Sequence, residues 1–251
     1  MPLKNNMSWR QLLPTLVTLA AMLCGFFSML LALEGSAHFM LAAQFIMLAM
    51  ILDGLDGNLA RHLKGTSTFG AELDTYVDMT AFGLAPAILI YQVSLQTYIG
   101  WRVLMTAMVV LSGVIRLARF KVSDPERGQA GYCGLPITAS AGWVAIFVFL
   151  EETKALGASF QLNQGPVALV FLIGVVVMIT LQVSNVRYPK PTKTLGIFVP
   201  CIVLVIMLFL RDMHLAPKAA LAILFLGVSY VVFGPVYMDL MKRRCRTNSA
   251  T

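Results

Sequence analysis

The chain has 251 residues, of which 58% are hydrophobic and 12% are charged, and its formal net charge is +7. Soluble domains average about 25% charged residues, so this composition leaves too little polar side-chain surface to cover a water-soluble globule. It predicts an integral membrane protein. It excludes a disordered, collagen-like or disulfide-stapled chain, because apolar content is high and the four cysteines are dispersed singly.

Uncharged stretches near the ~20 residues needed to cross a bilayer predict the transmembrane helices. Seven follow directly. An eighth is short, but it reaches membrane thickness if Arg102 lies at one interface and the helix continues through Arg116 and Arg119 at the other. We therefore predict an all-α, polytopic transmembrane bundle with eight spans, at 11–33, 35–52, 79–101, 103–115, 128–150, within 155–186, at 194–210 and at 219–238, the last broken at Gly234-Pro235.

The basic residues predict the orientation of these spans, because cytoplasmic loops collect Lys and Arg. With a cytoplasmic N-terminus, the 19 basic residues divide fifteen to four. The cytoplasmic set is Lys4, Arg10, Arg61, Lys64, Arg116, Arg119, Lys121, Arg127, Arg187, Lys190, Lys193, Lys242, Arg243, Arg244 and Arg246, and the outer set is Arg102, Lys154, Arg211 and Lys218. We expect a multi-pass protein of the cytoplasmic (plasma or inner) membrane, with both termini in the cytoplasm. Topology and attraction to membrane lipids explain the net charge, so no nucleic-acid partner is expected.

Acidic residues are concentrated where the second predicted helix ends and the third begins. Five of the twelve acids lie within residues 53–78. Each ionised carboxylate deep in the bilayer costs roughly 2.5 to 3.5 kcal/mol, so such a cluster predicts a functional site. Steps of three or four residues define one stripe on each helix. The stripes are Asp53, Asp56, Gly57 and Ala60 on the second helix and Gly70, Asp74 and Asp78 on the third.

The connection between these two helices, residues 61–69, is short, so they are predicted to be antiparallel neighbours whose stripes face each other at the cytoplasmic end. Four carboxylates would then converge, and without a cation several would have to bind protons. Hard oxygen ligands in this number suit Mg²⁺ or Mn²⁺, and two ions are the expected arrangement. The simpler alternative is a set of interfacial acids paired with Arg61 and Lys64.

Small residues in the stripes predict room for a ligand. Gly57, Ala60 and Gly70 leave the helix surfaces without bulk, and Arg61 places a permanent cation one turn after Gly57. Metal ions, an arginine and a groove at the membrane surface together indicate phosphoryl chemistry on a lipid-linked substrate, with the active site on the cytoplasmic side.

The pattern Asp-x2-Asp-Gly-x2-Ala-Arg-x8-Gly-x3-Asp-x3-Asp, which begins at Asp53 and ends at Asp78, resembles the signature of the CDP-alcohol phosphatidyltransferases at every fixed position. Within that family the chain is most similar to the membrane-embedded phosphatidylserine synthases. Four later segments carry this likeness in the same order: FGLAP at 82–86, RLARF at 116–120, GLP at 134–136 and SNVRYP at 184–189. The chain departs from that subgroup at Ala21, where Asn is frequent, and at Asn58, where a basic residue is frequent.

The resemblance implies a reaction and a role for each matched residue. Serine would attack the phosphorus attached to diacylglycerol in CDP-diacylglycerol and release CMP, and family members are commonly homodimers. Asp78 would act as the general base. The implied metal ligands are Asp53, Asp56, Asp74 and Asp78, and the implied CDP-lipid contacts are Gly57, Ala60, Arg61 and Gly70. Among later basic residues, Arg116, Arg119 and Lys121 are candidates for binding phosphate or the serine carboxylate, or are topology charges only.

The likeness extends to about Pro189, so residues 1–190 are predicted to form a six-helix catalytic core and residues 191–251 two additional helices with a basic cytoplasmic tail. Three other functions stay open at this point. The same chemistry could use another acceptor, such as glycerol phosphate or inositol phosphate. The acids could line the path of a cation transporter, or they could belong to a binding-only protein with a decayed site.

Overall fold

The computed structural model describes residues 8–94, 99–123, 132–154, 156–157, 159–189, 195–210 and 215–248. Helices dominate this part of the chain. In order, the elements are α1 (Trp9–Glu34), a 3-10 turn (Ser36–His38), α2 (Phe39–His62), α3 (Thr68–Asp78), a π-helical segment (Met79–Leu84), α4 (Ala85–Val93), α5 (Ile99–Ser123), β1 (Tyr132–Cys133), α6 (Ile137–Glu152), α7 (Gly165–Val183), β2 (Arg187–Tyr188), α8 (Leu195–Phe209) and α9 (Leu215–Asn248).

Helix α3, the π-helical segment and α4 continue as one helix from Thr68 to Val93. The described part of the bundle therefore has eight continuous helices, which we call columns. Six columns are long and apolar enough to cross a membrane, whereas α6 and α8 have only 16 and 15 residues. Large apolar side chains lie on the outer surface, among them Leu16, Phe26, Leu104 and Ile173. Lipid accepts such a surface, and helices satisfy their backbone groups internally. The predicted all-α, multi-pass membrane bundle is confirmed.

Several predicted helix boundaries were wrong. The third span was placed at 79–101, whereas its helix ends at Val93; the helix begins at Thr68, close to the start at Gly70 that the stripe of acids predicts. The fifth column, α6, begins only at Ile137, since Gly134 has a φ of +77° and Pro136 precedes the first turn. Both residues disfavour a continuous helix through this point.

The fourth column, α5, and the last, α9, also differ from the uncharged stretches. Helix α5 continues to Ser123, and this confirms the predicted extension through Arg116 and Arg119. Helix α9 runs through Pro235, so the break predicted there was wrong. Proline removes one backbone hydrogen bond, and the apolar helix on both sides of it continues.

Small residues let α1 approach its neighbours closely. Helix α1 packs along α2 and against the π-helical segment, where a Cβ atom on Gly25 would lie 2.5 Å from the Cα atom of Ala81. Close approach of backbones is how transmembrane helices gain packing energy when no hydrophobic effect acts between them. The close approach of α1 also brings the hydroxyl groups on its buried face against α2.

The acid-bearing ends of α2 and α3 define one end of the bundle, which we call the aspartate end. Several predicted cytoplasmic residues belong to it by contact: Arg10 packs on Gly65, Arg116 faces Asp78, and Lys121 pairs with Glu72. Lys4, Arg127, Lys190, Lys193 and Arg211 lie outside the described residues, as do the side chains of Lys242, Arg243, Arg244 and Arg246.

The two last helices pack on the rest of the bundle. Helix α8 contacts α2, where the Gln44 amide Nε2 donates to the Leu208 carbonyl oxygen at 2.6 Å. Helix α9 lies against α8, α6 and β2. The pair therefore contacts both ends of the bundle: α8 at the end opposite the acids, and α9 near the aspartate end.

Candidate active site

The aspartates of α2 and α3 converge as their spacing predicts. One carboxylate oxygen from each of Asp53, Asp56 and Asp74 lies within 4.8 Å of the other two. Asp56 is only 5% exposed, whereas Asp53 and Asp74 are half-buried. Three hard oxygen atoms at this separation fit around a single divalent cation, whose ligand distances are about 2.0 to 2.6 Å. The donor set therefore suits Mg²⁺ or Mn²⁺.

Asp78 lies beside this cluster, one turn further along the third column. Its carboxyl group is within hydrogen-bonding reach of Asp53, and it does not belong to the group of three oxygens described above. The Asp78 Oδ1 atom is buried, and no described residue hydrogen-bonds to it. A buried carboxylate oxygen without a partner is costly, so this atom is suited to receive a proton or an ion.

Sequence reasoning missed a residue of the site on α1. The Thr18 hydroxyl donates to Asp56 Oδ2 at 2.5 Å, and Thr18 is 6% exposed. This bond fixes one oxygen of Asp56 in a buried position beside the cluster. The available signal was the run of hydroxyl residues at Thr15, Thr18 and Ser28 on the buried face of an otherwise apolar helix.

The glycines of the signature open space next to the acids. A Cβ atom on Gly57 would meet only Arg61 Nη1, at 3.9 Å, and one on Gly70 would meet the Ser67 hydroxyl at 3.1 Å. Arg61 is exposed, and its Nη2 donates to Asn58 Oδ1 at 2.8 Å. Asn58, one of the two positions that depart from the subgroup, thus holds the guanidinium group above the open surface.

The predicted basic residues of α5 have three different environments. Arg116 is 6% exposed, and its charge acts on Asp78. Arg119 donates to the Val183 carbonyl oxygen, and to Asn185 Oδ1 at 2.5 Å, so it ties α5 to the segment that follows α7. The structure brings Arg116, but not Lys121, toward the carboxylates.

Lys121 forms an exposed ion pair. Its Nζ atom lies 2.5 Å from Glu72 Oε2, and the two side chains are 38% and 53% exposed. Water screens such a pair, which contributes at most about 1 kcal/mol to stability. Glu72 thus points away from the aspartate cluster and pairs with a residue that the sequence offered as a phosphate ligand.

The fold and site define a membrane-embedded protein with a carboxylate centre for divalent ions at one end of its bundle. The family model described as CDP-alcohol phosphatidyltransferase matches residues 11–182. The chain belongs to this family.

Related proteins include a CDP-diacylglycerol–serine O-phosphatidyltransferase of Helicobacter pylori, 32% identical over 231 residues that cover 89% of each chain. An archaetidylserine synthase of Methanothermobacter thermautotrophicus is 33% identical over 181 residues, which cover 71% of this chain and 70% of that protein. A CDP-diacylglycerol–serine O-phosphatidyltransferase of Bacillus subtilis is 29% identical over 181 residues, covering 72% of this chain and 92% of the relative.

Proposed function

We propose that the protein transfers the phosphatidyl group of CDP-diacylglycerol to the hydroxyl group of L-serine and produces phosphatidylserine and CMP. The observation that carries this proposal is the cluster of Asp53, Asp56 and Asp74, in a chain that has every position of the family signature. Family membership supports the phosphatidyl transfer. The names of relatives from Helicobacter pylori and Bacillus subtilis support serine as the acceptor.

The proposed cofactor is a pair of Mg²⁺ or Mn²⁺ ions held by Asp53, Asp56, Asp74 and Asp78. The three clustered oxygens and the orphaned Asp78 Oδ1 atom support this ligand set. Bound divalent ions would neutralise charge on the diphosphate and on the departing CMP. The carboxylates themselves keep the ions at the membrane surface, where a lipid-linked diphosphate lies.

The proposed donor site is the open surface beside the acids. Gly57, Ala60 and Gly70 let the cytidine and diphosphate approach the helix backbone, and Arg61 donates to phosphate oxygens. Apart from the backbone of its own helix, Arg61 Nη1 at 3.9 Å is the one described atom within 4 Å of a Cβ at Gly57, and this supports the placement. A guanidinium group binds phosphate through two parallel hydrogen bonds, so Arg61 fixes orientation as well as charge.

The proposed chemical step begins with the proton of the serine hydroxyl, which passes to the carboxylate of Asp78. The serine oxygen then forms a bond to the phosphorus that carries diacylglycerol, and the bond from that phosphorus to the oxygen of CMP breaks. Asp78 releases the proton to solvent. Arg116, buried beside Asp78, is placed to hold the serine carboxylate, with Arg119 one turn further along α5.

Several finer features belong to the same proposal. The active site and both termini lie on the cytoplasmic side, as the fifteen-to-four division of the 19 basic residues favours. Residues 1–190 form the catalytic core and residues 191–251 an addition, and the match over residues 11–182 supports this division. The protein is a homodimer in the membrane, which chemical cross-linking in native membranes tests.

The test is an assay of the purified full chain with CDP-diacylglycerol, Mg²⁺ or Mn²⁺ and a panel of acceptors, in which CMP release and the lipid product are measured. Phosphatidylserine formed with serine, and no product with glycerol phosphate or inositol phosphate, is the expected result. Product with another acceptor and none with serine would overturn the acceptor assignment. Cation flux without CMP release would instead support a transporter.

A further inference from the structure

Helix α9 packs on Tyr188 and Pro189, near the aspartate end. The Tyr230 hydroxyl donates to the Pro189 carbonyl oxygen at 2.8 Å, and its ring centroid lies 5.6 Å from that of Tyr188. One turn further along, a Cβ atom on Gly234 would lie 3.0 Å from Tyr188 Cδ1 and 3.2 Å from Pro189 Cδ. Helix α9 therefore packs on these two residues as closely as van der Waals contact allows.

The contacted residues end a segment, residues 184–189, that we call the 184–189 loop. Tyr188 is 1% exposed and packs with Leu135 and Met178 in a small apolar cluster separate from the main core. The loop is also bonded to the entry of α6, where the Gly134 amide donates to the Val186 carbonyl oxygen at 2.8 Å. The far end of the loop is thus held by apolar packing, one strand pair and Tyr230.

The near end of the loop holds an arginine. Asn185 Oδ1 accepts from Arg119 Nη2 at 2.5 Å, and the carbonyl oxygen of Val183 accepts from Nη1. Arg119 stands one helical turn from Arg116, whose charge acts on Asp78. A shift of the loop would therefore move the guanidinium group of Arg119 and the end of α5 relative to the general base.

We propose that Tyr230 and Gly234 are positioning residues for the acceptor side of the site. They fix the 184–189 loop, the loop fixes Arg119 through Asn185, and α5 thereby presents its arginines to the serine carboxylate beside Asp78. The inference rests on the proposed function, because it takes serine as the acceptor. It assigns α9, which lies beyond the residues that the family model matches, a part in acceptor binding.

Two matched pairs of variants in α9 test the proposal. Tyr230→Phe removes only the hydroxyl, and Tyr237→Phe makes the same change at a tyrosine that is 53% exposed. Gly234→Ala inserts a methyl group against Tyr188, and Gly227→Ala inserts one where nothing lies within 4 Å. Purified full-length variants are assayed for kcat, for KM of serine and for KM of CDP-diacylglycerol, together with the melting temperature.

Tyr230→Phe is expected to raise KM for serine about 3- to 10-fold, the range that one lost hydrogen bond produces. Gly234→Ala is expected to raise the same KM, because its added methyl group displaces Tyr188. KM for CDP-diacylglycerol should stay within about 2-fold of wild type, and both controls should match wild type. Asn185→Ala should have the same effect as Tyr230→Phe, and the double variant should be less than additive, because both act through Arg119.

Three results would overturn the proposal. The first is an unchanged KM for serine in the Tyr230→Phe variant. A rise in both KM values, or a lower melting temperature with unchanged KM values, would show that α9 is only a structural brace. If wild-type enzyme turns over without serine, the proposed function fails as well, and that outcome is visible before any variant is measured. Should Gly234→Ala not fold, the Tyr230→Phe and Tyr237→Phe pair still decides.

Discussion

The aspartate end has two halves that are assembled in different ways. The proposed donor half, with its four aspartates and Arg61, comes from two consecutive helices and 26 residues of sequence, Asp53 to Asp78. The proposed acceptor half joins α5, the 184–189 loop and α9, and the bond between Arg119 and Asn185 spans 66 positions. Helix spacing determines the first half, whereas the second exists only because distant columns pack together.

The donor half should show the largest effect of a single substitution. Asp74→Asn and Asp78→Asn are each expected to lower turnover about 1,000-fold, since each removes a charge that the reaction requires. The measurements are CMP release and Mn²⁺ binding followed by electron paramagnetic resonance. Asp239→Asn, in the exposed part of α9, is the control. Turnover near wild type in either site variant would refute the roles given to these acids.

The donor surface is tested next by Arg61→Gln. Loss of a charge-assisted hydrogen bond of about 1.5 to 3 kcal/mol should raise KM for CDP-diacylglycerol by roughly 10- to 100-fold. KM for serine should change little, because the acceptor half is built from other columns. Lys64→Gln removes a neighbouring exposed charge and should have a small effect. If Arg61→Gln changed KM for serine as much as KM for CDP-diacylglycerol, the donor and acceptor sites would not be separate.

Thr18→Val tests the contribution of α1 to the donor half. The substitution keeps the shape of the side chain and removes the hydrogen bond to Asp56, so metal affinity should fall about 10-fold, as with other supports of metal ligands. Metal titration of turnover and of Mn²⁺ binding provides the measurement. Thr15→Val is the matched control, since Thr15 donates at 2.7 Å to the Gln11 carbonyl oxygen and not to an aspartate. Equal metal affinity in the two variants would remove Thr18 from the site.

The smallest effect is expected at Lys121. Because its ion pair with Glu72 is exposed, Lys121→Gln should change stability by less than about 1 kcal/mol and turnover by less than about 2-fold. Glu72→Gln, which removes the other partner, should have an equally small effect. A loss of activity above tenfold in Lys121→Gln alone would show that this lysine leaves Glu72 to bind phosphate during the reaction.

The sequence predicted the number of columns and the stripe of acids, but several boundaries and one site residue escaped it. Hydropathy marks where charges begin, so the third span was placed at 79–101, whereas the helix, whose start near Gly70 the stripe of acids predicted, runs from Thr68 to Val93. The α6 boundary depended on the backbone conformation of Gly134, which hydropathy does not register. Thr18 escaped because the hydroxyl groups of Thr15, Thr18 and Ser28 on an apolar helix become informative only when the partner of Thr18, Asp56, is known.

The sequence alone determined the membrane-spanning nature of the chain, its family signature and the convergence of carboxylates, since these follow from composition and from the 3.6-residue period of neighbouring helices. Only the tertiary structure decided which basic residues stand near the acids. Arg116 is buried beside Asp78, Arg119 is hydrogen-bonded to the 184–189 loop, and Lys121 forms an exposed ion pair with Glu72. The three residues lie within six positions of one helix. Their environments differ because each turn of α5 faces different neighbouring helices.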